Sequence, residues 1–235
     1  MNPPVLRGGI IAAGDGRRLR ESGFSLPKAL VPVGGAPLIE WVIRNFLAVG
    51  ITAPVIIVNE NARACVDWVH TRFPALDAQF IVKTTRSSLE SFHEVSQRLK
   101  GGRALISTVD AWCRPADFVG FVDRGQRHPS EVSVLAATPF VADEAPLWLT
   151  VDRAGRVQTL GGSSGTLVTA GLYMLSEQAL AASPPPLRRL REFLAWLVRD
   201  DGYPLYAETI PTVVDVDDAA DVALVEALAR VDPHP

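Results

Sequence analysis

Short apolar runs alternate with segments whose apolar positions recur at helical spacing over the first half of the chain. Residues 9–13, 55–58, 80–82 and 104–109 form the runs, and Val55–Val58 is wholly β-branched. Bounded by turn formers, such runs predict buried strands. Between the first two, Leu38, Ile39, Val42, Ile43, Phe46, Leu47 and Val49 share one helical face over residues 38–49, which Gly50 closes. Asn61 is placed to cap a helix running to about Arg72, where Pro74 forbids continuation. A third helix is expected from about Ser88 to Leu99, ended by Gly101-Gly102. Strands alternating with helices predict a parallel sheet covered on both faces. The fold class expected is therefore α/β, a single doubly wound (Rossmann-like) domain with a mostly parallel mixed sheet.

The second half is less regular. Residues 115–124 have a helical pattern and 132–137 a strand pattern. Residues 147–151, 156–160 and 167–175 predict a small antiparallel subregion, with turns at Ala154-Gly155 and over 161–165. Pro184, Pro185 and Pro186 open a helix expected over 187–198, since proline is tolerated in a first turn. Two short strands, 203–208 and 212–216, precede a last helix over 219–230. Asp217, Asp218 and Asp221 lie at its start, where the helix dipole favours acids. No repeat or linker divides the chain, so residues 1–235 are expected to form one domain.

Composition narrows the function. The chain has 235 residues, 48% hydrophobic, and a net charge of −3, which argues against a nucleic-acid surface. Cys65 and Cys113 are isolated and form no metal pattern. Residues 1–7 are too short and proline-rich for a signal peptide, and no apolar run approaches membrane-spanning length. A soluble cytoplasmic protein, monomer or homodimer, is the expectation. His70, His93, His128 and His234 are scattered, with no Ser or Cys motif to suggest a hydrolase.

The chemistry concentrates after the first run, at Gly14-Asp15-Gly16 with Arg17, Arg18 and then Lys28. A small-residue loop at a strand end lets backbone N–H groups approach phosphates, and nearby cations neutralise their charge. A Rossmann dinucleotide loop needs a third glycine where this chain has Leu19. A Walker A loop needs a Gly-Lys-Ser/Thr ending, which is missing. By itself the loop also reads as an ordinary strand–turn.

The wider pattern does not stop there. Ala12-Ala13-Gly14-x-Gly16-x-Arg18-Leu19, then Pro27-Lys28-x-Leu30, Pro32 and Gly35-x-Pro37-Leu38-Ile39, resembles the nucleotidyltransferase superfamily. Its members include sugar-1-phosphate nucleotidylyltransferases and small-alcohol-phosphate cytidylyltransferases. The resemblance implies that Ala12, Ala13, Gly14, Asp15 and Gly16 wrap the nucleotide. It implies a catalytic role for Arg18 on the triphosphate and for Lys28 on the reacting phosphates, with residues 20–26 as a mobile loop. Residues 1–115 would chiefly bind the NTP and 116–235 the acceptor. Mg2+ is the implied cofactor, with Asp110 at the end of the fourth strand and Asp215 as its ligands. Asp217 holds a smaller claim, and Asp217 or Asp218 reads equally as a helix cap.

Two regions leave the family pattern. Residues 83–91 contain neither the Gln nor the Gly with which sugar-nucleotide relatives read the base. Ser87 or Ser88 is expected to contact the nucleoside, or to cap the helix that follows. On the acceptor side, the usual sugar-binding Glu and second Lys are missing, and Trp148, Gly162 and Thr169 stand as acceptor-binding candidates. The expected reaction is Mg-dependent transfer of a nucleotidyl group from an NTP to a sugar-1-phosphate or related alcohol phosphate, releasing pyrophosphate. A regulatory protein that binds nucleotide-sugars without turnover is the alternative from another class. A molybdopterin-type nucleotidylyltransferase is a third option within the same class.

Overall fold

In the computed structural model, residues 6–142, 145–200 and 202–231 are described; His234 and residues 1–5 of the N-terminal segment lie outside the described residues. The chain begins with β1 (Arg7–Ala12), α1 (Arg17–Glu21), β2 (Pro32–Val33), β3 (Ala36–Pro37), α2 (Leu38–Ala48) and β4 (Val55–Val58). It continues with α3 (Ala64–Arg72), β5 (Gln79–Val82), α4 (Ser88–Ser96), β6 (Ala104–Thr108), β7 (Ala111–Cys113) and α5 (Pro115–Arg127). Next come β8 (Ser133–Thr138), β9 (Trp148–Val151), β10 (Val157–Leu160), β11 (Leu167–Leu175) and α6 (Glu177–Leu180). The final elements are α7 (Leu190–Arg199), β12 (Leu205–Thr209), β13 (Val213–Asp215) and α8 (Ala219–Val231).

The alternation along β1 dictates the layers. Ile10 and Ala12 face a core built with Phe46 of α2, Val69 of α3, Phe118 and Phe121 of α5 and Val225 of α8. Ile11 faces the other side, with Phe92 of α4 and Phe193 and Leu197 of α7. A strand apolar on both faces needs a layer packed on each, which is the doubly wound arrangement. β1 pairs in parallel with β4 and β6, and β4 with β5. β11 then pairs antiparallel with β6 and β8, and β12 extends β8 in parallel. β9 and β10 attach to the start of β11, forming the antiparallel subregion.

Several boundaries differ from those that local pattern predicts. Asn59, not Asn61, makes the cap: its side chain accepts from the Asn61 N–H at 3.0 Å and opens a 3-10 turn, so α3 starts only at Ala64. α7 begins at Leu190 rather than 187, because Glu192 accepts the backbone N–H groups of Arg188 at 2.9 Å and Arg189 at 3.1 Å. Part of the expected mobile loop is helical: Arg17–Glu21 forms one turn and a half, anchored by buried Leu19. β7 is too short to announce itself in sequence and exists through its antiparallel pairing with β13. Both cysteines are buried and free, and burial pushes each thiol up to about 12. Among the described residues no helix is long and apolar enough to cross a membrane.

Candidate active site

β1 ends on buried Ala12, Ala13 beyond it is buried too, and the chain then emerges through exposed Gly14 and Asp15. Gly16 takes φ 60°, and a Cβ there would stand 2.8 Å from Cβ of Lys28. Only glycine meets both demands, so the loop can lie directly against the lysine. Asp15 Oδ1 accepts the Arg17 N–H at 3.1 Å, starting α1 and placing Arg18 on its outer side. Lys28 opens a second 3-10 turn, Lys28–Leu30, held by the Val31 N–H donating to the Lys28 carbonyl at 3.1 Å.

Four charged groups from distant parts of the chain meet here. Lys28 Nζ lies 2.5 Å from Asp110 Oδ2 and 2.5 Å from Asp217 Oδ1. The other oxygen of Asp217 takes a guanidinium N–H of Arg18. Asp110 follows β6, and its carbonyl accepts the Val216 N–H at 3.0 Å. With Asp215 opposite Ala111 in the β13–β7 pair, this brings the Asp215 carboxyl beside Asp110, close enough for each to shift the other's pKa.

The acidic run before α8 now separates into roles. Asp218 Oδ1 accepts the N–H groups of Ala220 at 2.8 Å and Asp221 at 3.2 Å, so it caps the helix. Asp221 accepts the N–H groups of Asp217 and Asp218 in return. Asp217 is thereby free of the cap, and its carboxylate turns to the two cations. Sequence pattern left this role open because either Asp217 or Asp218 could cap.

The electrostatics follow from the geometry. Burial alone would lower the Lys28 ammonium, but Asp110, Asp217 and Asp215 outweigh it and raise its pKa. Burial would likewise raise Asp110, yet the charge and hydrogen bond of Lys28 hold it below the usual carboxylate range. Asp215 is pushed well above that range by desolvation and by the adjacent Asp110 charge. Its side chain opens onto the cleft, so water tempers the desolvation and the neighbouring carboxylate is the firmer cause. Two carboxylates in contact cannot both ionise freely unless a proton or a cation is shared.

Beyond the carboxylates lies a cleft of about 690 Å3. Asp110 and Asp215 line it, with Ser87, Ser88, Thr108, Thr169, Gly171 and Tyr173, but none of residues 12–28 does. Ser87 also caps α4, accepting the Glu90 N–H at 3.2 Å, and Ser88 Oγ accepts the Leu190 N–H at 3.0 Å. Of the three acceptor-side candidates Thr169 lines the cleft; Trp148, in β9, and Gly162, in the bend after β10, are not among its lining residues. Gly171 has φ 66°, and a Cβ there would stand 2.5 Å from Ala111 Cβ and 2.6 Å from Thr108 Oγ1. Tyr173 was not singled out by sequence pattern. Its phenol is raised by burial and by Asp215 and Asp110, and a buried tyrosine in a strand reads locally as core.

Comparison with known proteins adds the family context. A family model described as the MobA-like NTP transferase domain matches residues 8–182. The chain is 28% identical over 144 residues to the UTP–glucose-1-phosphate uridylyltransferase of Escherichia coli (strain K12), covering 61% of this chain and 42% of that protein. It is 25% identical over 189 residues to the CMP-5'-(3-aminopropyl)phosphonate synthase of Streptomyces rubellomurinus (strain ATCC 31215), covering 74% and 29%. The chain thus spans less than half the length of these relatives. In fold it matches the inositol-1-phosphate CTP transferase from T. maritima, with TM-score 0.78 and 16% identity over 98% of this chain and 99% of that one.

Proposed function

Because the chain belongs to the MobA-like NTP transferase domain family, we propose that it transfers a nucleotidyl group from an NTP to a sugar-1-phosphate or related phosphate acceptor. One observation carries the reading: Arg18, Lys28, Asp110 and Asp217 converge in one ion-paired cluster, and through Asp110 that cluster adjoins a cleft large enough for a phosphorylated small molecule. A bare binding protein has no need of so tight a set.

An oxygen of the acceptor phosphate attacks the α-phosphorus, the bond from that phosphorus to the bridging oxygen breaks, and pyrophosphate leaves. No side-chain base is required, since a phosphate nucleophile is already ionised at neutral pH. Incoming phosphates compete with Asp217 for Arg18 and Lys28. Arg18 then holds the departing β- and γ-phosphates, and Lys28 orients the reacting ones. The loop at residues 12–16 would supply close backbone approach to the nucleotide, and Ser87 and Ser88 would contact its nucleoside, so that nucleoside and acceptor share the cleft.

The touching carboxylates of Asp110 and Asp215 suit Mg2+, an oxygen-seeking ion that keeps water and phosphate ligands. Among the described residues no set of three or more His, Cys, Asp or Glu gathers for a metal, which fits a cation that draws its other ligands from substrate. When bound there it would neutralise charge developing on the α-phosphoryl oxygens.

The test is Asp110→Asn. Pyrophosphate release over a panel of NTPs and phosphorylated acceptors is expected to fall at least about 100-fold, with the circular dichroism spectrum unchanged. Full activity in that variant overturns the assignment. Thermal stabilisation by nucleotide-sugars without any release from the wild-type protein would instead favour the regulatory reading.

A further inference from the structure

The cleft carries more positive charge than phosphoryl attack requires. Arg86, Arg188, Arg189 and Arg191 line it, against Asp110 and Asp215 as its acids, in a chain whose net charge is −3. All four side chains are exposed, and none is engaged in the ion pairs found among the described residues. Glu90 accepts the Arg86 N–H at 2.8 Å and pairs with Lys83 at 3.0 Å, and Glu192 accepts the N–H groups of Arg188 and Arg189; both carboxylates feel the nearby guanidinium charges, but neither lines the cleft.

The arginines are also held in place. Leu190 is buried and donates its N–H to Ser88 Oγ at 3.0 Å, and the Leu89 N–H reaches the Arg188 carbonyl at 3.4 Å. These bonds fasten the segment before α7 to the loop bearing Arg86. Arg191 reaches across to the Ala145 carbonyl at 3.3 Å. A neutral sugar ring is read mainly through its hydroxyls, by acceptors as well as donors. Guanidinium groups are donors only, and their fork matches carboxylate and phosphate.

We propose that the acceptor carries a second anionic group, a carboxylate or a further phosphate, which the arginine set binds while the first phosphate reacts at Asp110 and Asp215. The inference rests on the proposed nucleotidyl transfer and names its substrate class. The Arg18 and Lys28 side is left to the triphosphate, because no residue from 12 to 28 lines this cleft.

Three acceptors sharing one sugar ring test it: glucose 1-phosphate, glucuronic acid 1-phosphate and glucose 1,6-bisphosphate, each assayed for pyrophosphate release. The doubly anionic acceptors are expected to show kcat/KM at least about tenfold above glucose 1-phosphate, and the ratio between them tells carboxylate from phosphate. Arg188→Gln and Arg191→Gln should collapse that preference through KM, and 0.5 M salt should weaken it. Equal kcat/KM for all three, or a preference unaffected by both variants, overturns the proposal while leaving nucleotidyl transfer standing. Should no acceptor give release, the transfer reading fails, and thermal shift with the acceptors alone decides this one. Stabilisation by the doubly anionic pair, lost in the arginine variants, supports it; none overturns it.

Discussion

Lys28 has only 7% of its side chain exposed, and its ammonium sits between Asp110 and Asp217. Its folded pKa lies above the ordinary value, so the stability it contributes is complete below about pH 10.4 and is lost only as pH rises through the folded value. Across the neutral range the charge is therefore constant. Lys28→Met removes the cation and leaves Asp110 and Asp217 facing one another. Breaking a buried pair costs about 3–5 kcal/mol, but both carboxylates open partly onto the cleft, which reduces the expected loss to about 1–3 kcal/mol. Urea unfolding reads that loss, and pyrophosphate release should fall at least about 100-fold in the same variant. Arg18, Lys28 and Asp110 were legible in the chain, since each stands in a recognisable local setting. The role of Asp217 was not. Asp217 and Asp218 are equivalent in pattern before a helix, and only the return of the backbone along β7 decides which one faces inward.

β11 is the element on which the cleft depends. Its first residues pair with β9 and its last with β6, and Gly171 lies where the pairing changes hands. At φ 66° and with Ala111 and Thr108 already at contact distance, an added Cβ must displace backbone. Gly171→Ala is expected to cost about 1–3 kcal/mol and to shift Asp110, so that both the urea midpoint and kcat/KM drop. Retention of both would mean that β6 and β11 can separate without consequence. α4 carries a different signal. His93 packs against Phe92 and Phe193, and burial lowers its pKa. Glu90, Glu94, Lys100 and Glu177 share its groove, yet desolvation prevails. A histidine kept neutral by the fold contributes stability that is full above its unfolded pKa, about 6.5, and is lost as pH falls from there toward the lower folded value. Melting temperature should therefore decline between pH 7 and pH 5.5, and His93→Gln should flatten that decline. An identical slope in the variant would assign the acid sensitivity elsewhere. Strand and helix identities were largely readable here from period and punctuation. Boundaries failed where a side chain intervened, as Glu192 does at α7 and Asn59 does before α3.

At the scale of the whole molecule, the site is closed by the end of the chain. β13 pairs with β7, and Val216 and Val225 are fully buried against the layer that includes α2 and α5. A chain ending at residue 211 loses Asp215, Asp217 and this packing together. It is expected to lack pyrophosphate release and to unfold at lower urea with a shallower transition, which denaturation followed by tryptophan fluorescence would reveal. A truncated chain that unfolds as sharply as the full one would show that α8 is an appendage. The division of labour between residues 1–115 and 116–235 stays a functional proposal, because β6 of the first part is paired to β11 of the second.

From the sequence alone came the alternation that builds a sheet covered on both faces, the small-residue loop, and the cations and strand-end aspartate of a nucleotidyl-transfer motif. These are local properties: side-chain period, steric permission at glycine, and residue types at short spacing. What only the tertiary structure decided is which distant groups share a site. Asp217 meets Lys28, and Arg86 meets Arg188, Arg189 and Arg191 along one cleft, through strand pairing and backbone hydrogen bonds between segments far apart in the chain. Pattern within a segment carries no record of that register, because the pairing free energy depends on both partners at once.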